Sequence, residues 1–470
     1  MQKNIDLSSD EYDKIHIVGI GGAGMSAIAH ILSRMGKKVS GSDLKDSKVT
    51  QRLLSQGIEV TIPHNEEAIS SEIDVLVISS AIGENNEEVI KAKAMNIPIW
   101  SRANMLSAIC AAEKSIGVSG SHGKTTTTSM LTTIARFAGL KPSFMIGGDL
   151  NEIGTNAAYT DGSFLIVEAD ESDKTFLDLS LVGAIVTNIE SDHLENYENS
   201  FDKLKESFEQ FVRQANGPVV ICVDEDNARA LSEACAETKN IITIGKSDAQ
   251  YIYNVVSKDS SGIDAEIYFG AELKGVLKLA VPGEHNVRNA LCALALMVEF
   301  DVEMDTAISA LATYGGVARR FQPRGNVNGV TLIDDYAHLP TEIEVTLNAA
   351  KDGAFNNVIA IFQPHRYSRT QELYREFAKA LTNADIVCVT EVYSAGEEER
   401  IGVSGQNIVS EMHNLGFKNA FFAPHKEDVI KFVNERANAK DIVLTLGAGD
   451  VTTYPDAILE SYKNPIDEKN

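Results

Sequence analysis

Basic surface is what this sequence most lacks. Its 42 Lys and Arg stand against 67 Asp and Glu, a formal net charge of −25 over 470 residues. Nucleic-acid binding depends on a cationic face, so that class is excluded. Any anionic ligand has to be held by local positive groups against an unfavourable overall field. Cysteine is scarce too: Cys110, Cys222, Cys235, Cys292 and Cys388 are scattered, odd in number and form no C-x-x-C pair. They read as reduced, buried, small hydrophobes, which excludes a disulfide framework and a zinc site. No apolar run reaches the ~20 residues that a bilayer span needs, so no membrane partner is expected. The opening MQKNIDLSSDEYDK is polar and acidic, unlike a signal or transit peptide, and a cytoplasmic protein is expected. Low-complexity tracts and short repeats are also missing.

What is present is an ordinary globular composition, 44% hydrophobic and 23% charged, able to bury a large core. The length points to roughly three domains. The most informative stretch is GVSGSHGKTTTTSM, residues 117–130. An apolar run, Ser115 to Val118, enters it like a strand, and a helix-compatible segment, Thr126 to Phe137, leaves it. Glycines between a strand and a helix N-terminus aim several backbone N–H groups at one point, where the helix dipole favours negative charge. Lys124 adds a mobile cation for a terminal phosphate, and the Thr125 or Thr126 hydroxyl suits a phosphate-bound Mg²⁺. The usual G-x-x-x-x-G-K-[ST] pattern would begin at 118, where Val118 stands, so the motif is the shorter G-S-H-G-K-T. The reading is a nucleoside triphosphate site.

Ahead of it, the strand Lys14–Ile20 runs into Gly19, Gly21, Gly22 and Gly24. The helical pattern Met25–Met35 follows, then the strand Lys38–Ser42 ending at Asp43. This layout resembles a dinucleotide fingerprint, although its last glycine comes one position early. The pyrophosphate it suits belongs to NAD, FAD or a UDP-sugar. The strand 74–79 ends at Ser80, again on a carboxyl edge. Beyond the phosphate loop, an apolar strand from Phe164 carries Glu168 and ends in Asp170, Glu171 and Asp173. Glu168 is the first choice for Mg²⁺ because it alone lies inside the strand pattern. The strand Gly183–Ile189 leads to His193, a candidate metal ligand. Asn286 and Asn289, about one turn apart near the helical pattern Ala290–Phe300, suit one ligand, such as an adenine, with helix capping by Asn286 as the alternative. Gly315-Gly316 and Pro323-Arg324-Gly325 read as a linker, with Arg319-Arg320 before it as a phosphate clamp. Four strand-like runs, Val330–Ile333, Val358–Phe362, Ile386–Val389 and Ile442–Leu446, then alternate with helical patterns.

With these residues in hand, the whole chain resembles the Mur ligases, ATP-dependent amide-forming enzymes of bacterial cell-wall synthesis. The resemblance is carried by GIGGAGMS (19–26), GSHGKTTTT (120–128), EADESD (168–173), TNIESDH (187–193), GEHNVRNA (283–290), RRF (319–321), DDYAH (334–338), FQPHRYSRT (362–370) and GAGD (447–450). It implies a three-domain α/β fold: a Rossmann-like UDP-sugar domain over 1–106, a P-loop ATP domain over 107–320, and a Rossmann-like amino-acid domain over 321–470 that closes over the site. UDP-N-acetylmuramate would be gripped by Gly19, Gly21, Gly22, Gly24, Met25, Ser42, Asp43 and Ser80. ATP would meet Gly120, Ser121, His122, Gly123, Lys124, Thr125, Thr126, Asn286, Asn289, Arg320 and Asp335. Mg²⁺, as two ions for which Mn²⁺ can substitute, would sit on Thr125, Glu168 and His193. The incoming amino acid would lie near Tyr336, His365, Arg366 and Arg369. Catalysis would fall to Lys124, Glu168, His193, His338 and Arg366, with no side-chain nucleophile. Within the family the chain looks most like the member that adds L-alanine first; the alternative is the recycling member that attaches a ready-made tripeptide. A monomer or homodimer is expected. The DDYAH stretch departs from close relatives, which usually have a second histidine where Leu339 stands.

Overall fold

The computed structural model describes residues 7, 12–79, 81–191, 194–259 and 261–463. Its backbone is organised by three sheets. The first holds β1 (Lys14–Val18), β2 (Lys38–Ser42), β3 (Glu59–Thr61), β4 (Val75–Ile78) and β5 (Ile99–Ser101) in the order β3-β2-β1-β4-β5. Every pairing in it is parallel. The central strand β1 buries Ile15, Ile17 and Val18 completely, as a strand covered on both faces must. The glycine turn therefore leaves β1 beside β4, at the switch point of the strand order, where open α/β sheets bind ligands.

The second sheet holds β6 (Ser115–Ser119), β7 (Ser143–Leu150), β8 (Thr155–Ala158), β9 (Leu165–Glu168), β10 (Gly183–Val186), β11 (Val219–Cys222), β12 (Ile241–Gly245), β13 (Tyr251–Asp259), β14 (Gly262–Phe269) and β15 (Glu272–Leu279). Their order is β15-β14-β13-β12-β11-β10-β6-β9-β7-β8. The strand entering the phosphate loop is thus interior, with β9 and β10 parallel to it on either side. That pairing puts the carboxyl ends of β9 and β10 against the loop. Gly117 is needed inside β6 because a Cβ there would lie 2.6 Å from Leu181 Cδ1.

The third sheet holds β16 (Gln322–Val327), β17 (Val330–Asp335), β18 (Val358–Phe362), β19 (Ile386–Val389), β20 (Ala420–Phe422) and β21 (Ile442–Leu446), ordered β16-β17-β21-β18-β19-β20. Here one sequence expectation is corrected. Pro323-Arg324-Gly325 is no linker but part of β16, the antiparallel edge strand on β17. Proline lacks the N–H that an interior strand must donate, so an edge with a register shift between Pro323 and Gly325 accommodates it.

By density of contacts the described chain forms two compact units. One comprises the described residues up to 254 together with 265–278 and 285–314; the other comprises 255–264, 279–284 and the described residues from 315 onward. All five cysteines are free and buried. No helix among the described residues is long and apolar enough to cross a membrane.

Candidate active site

In the first unit the site is built on the β6–loop–helix connection. The helix spans Lys124–Phe137, two residues longer at its start than the sequence pattern suggests. Gly123 occupies its N-cap position at φ 82° and offers no side-chain cap. The first helical amides, which have no intrahelical partner, therefore remain available to an anion. Gly120 has φ 133°, and a Cβ there would lie 2.1 Å from Thr187 Oγ1. Asn289 seals the other side: its Oδ1 lies 2.6 Å from where a Gly123 Cβ would stand.

The loop is held open by β10's carboxyl end. The His122 amide donates to Asn188 Oδ1 at 2.8 Å, and Asn188 Nδ2 donates back to the His122 carbonyl at 3.0 Å. The Glu190 amide donates to Ser121 Oγ at 2.9 Å. Thr187 and Asn188 entered the sequence reading only within the strand Gly183–Ile189 and the TNIESDH stretch, with no role of their own; the strand ends at Val186, and their polar side chains follow it.

Lys124 lies across the loop. Its Nζ donates to the Gly120 carbonyl at 2.8 Å and to both Glu171 carboxylate oxygens at 2.8 and 2.9 Å. Burial pulls the Lys124 ammonium down, but Glu171, Asp170 and Glu168 outweigh that and hold it above its ordinary value. The cation is thus kept charged where phosphate would bind. Glu171, whose side chain is 1% exposed, is no solvated loop residue. Asp170 and Asp173 are likewise engaged, lying 3.9 and 2.7 Å from Arg102 Nη2. Arg102 also reaches the glycine turn, where a Gly24 Cβ would be 3.3 Å from its Nη1.

Glu168 ends β9 and accepts the Gly147 amide at 2.6 Å. A Cβ on Gly147 would stand 3.0 Å from both Glu168 oxygens and 3.2 Å from Thr125 Oγ1. The hydroxyl and the carboxylate therefore converge on one spot beside the loop. Two hard oxygen donors next to a phosphate site fit Mg²⁺, which keeps waters and phosphate oxygens as its other ligands. Among the described residues no group of three or more His, Cys, Asp or Glu is arranged to hold a metal by itself. His193 lies outside the described residues. Thr126 is half-buried, while Thr127 and Thr128 are turned into the core.

Asn286 and Asn289 are both buried within the helix Glu284–Glu299, with Asn289 Nδ2 3.4 Å from Asn286 Oδ1. That helix starts six residues earlier than the pattern from Ala290 suggests, so Asn286 lies within its first turn and is no N-cap. A cavity of about 610 Å³ opens beside the loop, lined by Ile189–Ser191, Phe201 and Asp224–Asn227.

The glycine turn of the first sheet is tied down at each step. Gly19 and Ile20 donate their amides to the Ser42 carbonyl at 2.8 and 3.0 Å, and Gly21 donates to Asp43 Oδ2 at 2.8 Å. Asp43 Oδ1 takes the Leu44 amide at 2.7 Å. Asp43 thus braces the turn directly, a use its strand-end position did not reveal. Gly22 N-caps the helix Ala23–Arg34 without a side-chain cap, and Met25 is buried beneath it. Ser80 lies outside the described residues.

The second unit gathers a separate cationic and aromatic cluster. Arg319 and Arg320 stack on Tyr336, their guanidinium carbons 4.9 and 5.3 Å from the ring centre. Arg319 also donates to the Gly447 and Gly449 carbonyls at 2.6 and 3.1 Å, so it braces the GAGD turn, leaving Arg320 as the more available cation of the pair. Asp335 lies inside β17 and accepts the Phe321 and Ala337 amides at 2.7 and 2.8 Å. His338 Nδ1 is 3.2 Å from Glu342 Oε2. Leu339 is buried and precedes Pro340 at the start of the helix Pro340–Lys351.

His365 stacks on Tyr393, which sequence reading missed, with ring centres 5.6 Å apart. Arg366 occupies the N-cap position of the helix Tyr367–Leu381 at φ 73°, a strained conformation for arginine. Arg369 follows in that helix's first turn. Burial, with His338, Arg369 and Arg366 nearby, lowers His365 to about 4. A base depressed in the folded state costs stability as pH falls, because the unfolded chain takes up the proton first. Stability is thus expected to drop between pH 6.5 and about 4. Thermal unfolding across that range should show a shallower slope for His365→Asn; an unchanged slope would contradict the assignment.

Comparison with known proteins agrees along the chain. Residues 14–114 match the model of the Mur ligase family catalytic domain, 118–297 the Mur ligase middle domain, and 319–449 the Mur ligase glutamate ligase domain. The UDP-N-acetylmuramate–L-alanine ligase of Pelobacter propionicus is 40% identical over 451 residues, 95% of this chain and 97% of the relative. The enzyme of that name from Geobacter sp. strain M21 is 41% identical over 454 residues, again 95% and 97%. Among solved structures, a UDP-N-acetylmuramate–alanine ligase from Thermotoga maritima aligns with TM-score 0.83 and 31% identity, over 96% of this chain and all of that one. A murein peptide ligase from Psychrobacter arcticus shares the fold, with TM-score 0.70 and 24% identity over 96% and 99%.

Proposed function

The chain belongs to the Mur ligase family, and on that premise we propose that it joins L-alanine to the lactyl carboxylate of UDP-N-acetylmuramate at the expense of ATP. The observation that carries the reading of the chemistry is Lys124 held charged beside an uncapped helix N-terminus, next to the Thr125–Glu168 pair. The roughly 40% identity to L-alanine ligases over 95% of the chain carries the substrate.

A carboxylate is a poor electrophile, so the lactyl oxygen attacks the γ-phosphorus and ADP leaves with the electrons of the broken P–O bond. The product is an acyl phosphate. The loop amides and Lys124 hold the phosphate oxygens in line and neutralise their charge. Thr125 and Glu168 would hold Mg²⁺, which supplies further charge neutralisation when bound; a second ion would use His193. The neutral alanine amine then attacks the acyl carbon, and the tetrahedral intermediate expels phosphate, which carries away the proton the amine nitrogen loses. We assign the alanine carboxylate to Arg366 and Arg369, whose guanidinium forks suit a carboxylate, with Tyr336 and His365 beside them. His365, depressed to about 4, stays neutral at physiological pH and adds no charge there. Asn286, Asn289 and Arg320 are assigned to the rest of the nucleotide, the glycine turn to the UDP pyrophosphate, and the reaction to the cytoplasm, where ATP is supplied.

The test is phosphate release from ATP by the purified protein with UDP-N-acetylmuramate and Mg²⁺, with and without L-alanine. Release is expected only when sugar nucleotide and alanine are both present. If the tripeptide L-Ala-γ-D-Glu-meso-diaminopimelate supports release and alanine does not, the recycling reaction replaces this one.

A further inference from the structure

Amide formation needs a neutral amine, yet a free α-amino group at neutral pH is mostly ammonium. Some group near the incoming amino acid must therefore take a proton before the acyl carbon is attacked. The second unit holds a pair of side chains with the geometry for it. Glu342 lies in the first turn of the helix Pro340–Lys351 with its side chain 17% exposed, and His338, 16% exposed, precedes that helix. Glu342 Oε2 accepts the His338 amide at 2.9 Å and the Leu339 amide at 3.2 Å, and the same oxygen lies 3.2 Å from His338 Nδ1. The two amides alone would make Glu342 a helix cap. The imidazole contact is additional, and a cap does not require it.

Counting hydrogens fixes the ring. His338 Nδ1 also lies 3.1 Å from the Tyr336 carbonyl, which has no hydrogen to give. Burial pushes the Glu342 carboxyl up, but His338, Arg320 and the His338 amide outweigh that and hold it well below the usual carboxylate range. Glu342 is therefore ionised and has no hydrogen to give either. The hydrogen that faces both acceptors belongs to Nδ1, and neutral His338 presents a bare Nε2. A carboxylate behind an imidazole also stabilises the imidazolium that proton uptake creates.

Position says which proton that nitrogen meets. The His338 ring centre is 5.0 Å from that of Tyr336 and 6.1 Å from that of His365, both assigned to the alanine site. Ammonium and carboxylate of an α-amino acid share one carbon, so alanine held at Arg366 and Arg369 brings its nitrogen to these rings. His365, depressed to about 4 by burial and by His338, Arg369 and Arg366, is too weak a base to hold a proton there. We propose that His338 Nε2 takes one proton from the alanine ammonium, and that Glu342 is the positioning residue that aims the ring for it. Of the three ammonium hydrogens, one goes to His338 and on to solvent, one leaves with the phosphate, and one stays on the amide nitrogen. The inference rests on the L-alanine ligase reading and adds a base to it.

The experiment compares L-alanine with 3-fluoro-L-alanine, close in size but with a far less basic amine, in the phosphate-release assay of the full-length protein near neutral pH. The unaltered protein should use both. His338→Ala should lower kcat/KM for alanine on the order of 10²-fold or more, but for fluoroalanine less than about tenfold, because much more of that amine is already neutral. Glu342→Ala leaves only the Tyr336 carbonyl on Nδ1 and should lose about tenfold with alanine, again sparing fluoroalanine. Glu342→Gln keeps an acceptor there and should recover most of that loss. Melting curves check that each variant is folded. Equal losses with both amines in His338→Ala overturn the proton transfer and leave the ligase reading standing. Equal losses with both amines in Glu342→Ala, or no recovery in Glu342→Gln, make Glu342 a helix cap alone and overturn its positioning role. Absence of alanine-dependent release by the unaltered protein overturns the ligase reading, and the inference with it.

Discussion

Lys124→Ala should lower alanine-dependent phosphate release on the order of 10³-fold or more, the scale seen when a preorganised charge on a transferring phosphoryl group is removed. Lys124 is the cation at the loop itself, within 2.8 Å of the Gly120 carbonyl, and the loop amides alone carry no formal charge. The same substitution strands Glu171, a buried carboxylate, without its partner. Activity loss and destabilisation must therefore be separated. Combining Lys124→Ala with Glu171→Gln removes both charges, so the double variant should regain most of the thermal stability and none of the activity. Turnover within tenfold of the unaltered protein in Lys124→Ala would sink the assignment of Lys124 to the phosphates.

Glu171→Gln alone should destabilise the nucleotide-free protein by about 3–5 kcal/mol, the usual cost of removing one partner from a buried pair. Differential scanning calorimetry should show a melting point lower by roughly 5–10 °C. MgATP should restore more stability to this variant than to the parent, because phosphate oxygens replace the lost carboxylate beside Lys124. The pH dependence has a definite sign. Lys124 is held above its unfolded value, so its contribution is lost as pH rises through the folded value, while burial holds Glu171 above the usual carboxylate range, so the pair also weakens as pH falls and Glu171 takes up a proton. The gap between parent and variant should narrow in acid, as Glu171 takes up a proton, and again in strong alkali, as Lys124 loses one. A gap that persists unchanged in strong alkali, or equal rescue of both proteins by MgATP, would show that Lys124 does not depend on Glu171.

Much of this was legible in the amino-acid order because it is local physics. A strand, a glycine with positive φ and a helix start must be contiguous, so GSHGKT announces its loop and GIGGAG its turn. Val358–Phe362, Ile386–Val389 and Ile442–Leu446 read as strands because interior parallel strands are apolar throughout, and the structure has them with the same bounds. The net negative charge and the scattered spacing of the cysteines needed no structure at all. The order of nine short motifs pointed to the family.

What only the tertiary structure decided is which of several equivalent groups meets which. Glu168, Asp170, Glu171 and Asp173 are chemically alike and crowded into six residues. The fold sends Glu168 to the Gly147 amide near Thr125, Glu171 to Lys124, and Asp170 and Asp173 to Arg102. Asp43 turned inward to the Gly21 amide, Arg319 to the GAGD carbonyls, and Asn289 onto Gly123. Pro323-Arg324-Gly325 became an edge strand because β17 offered it a partner. Periodicity and turn chemistry report the conformation of a residue and its near neighbours. The partner of a buried charge is set by which strand ends the sheet order brings together, and that order is a long-range property of the packed chain.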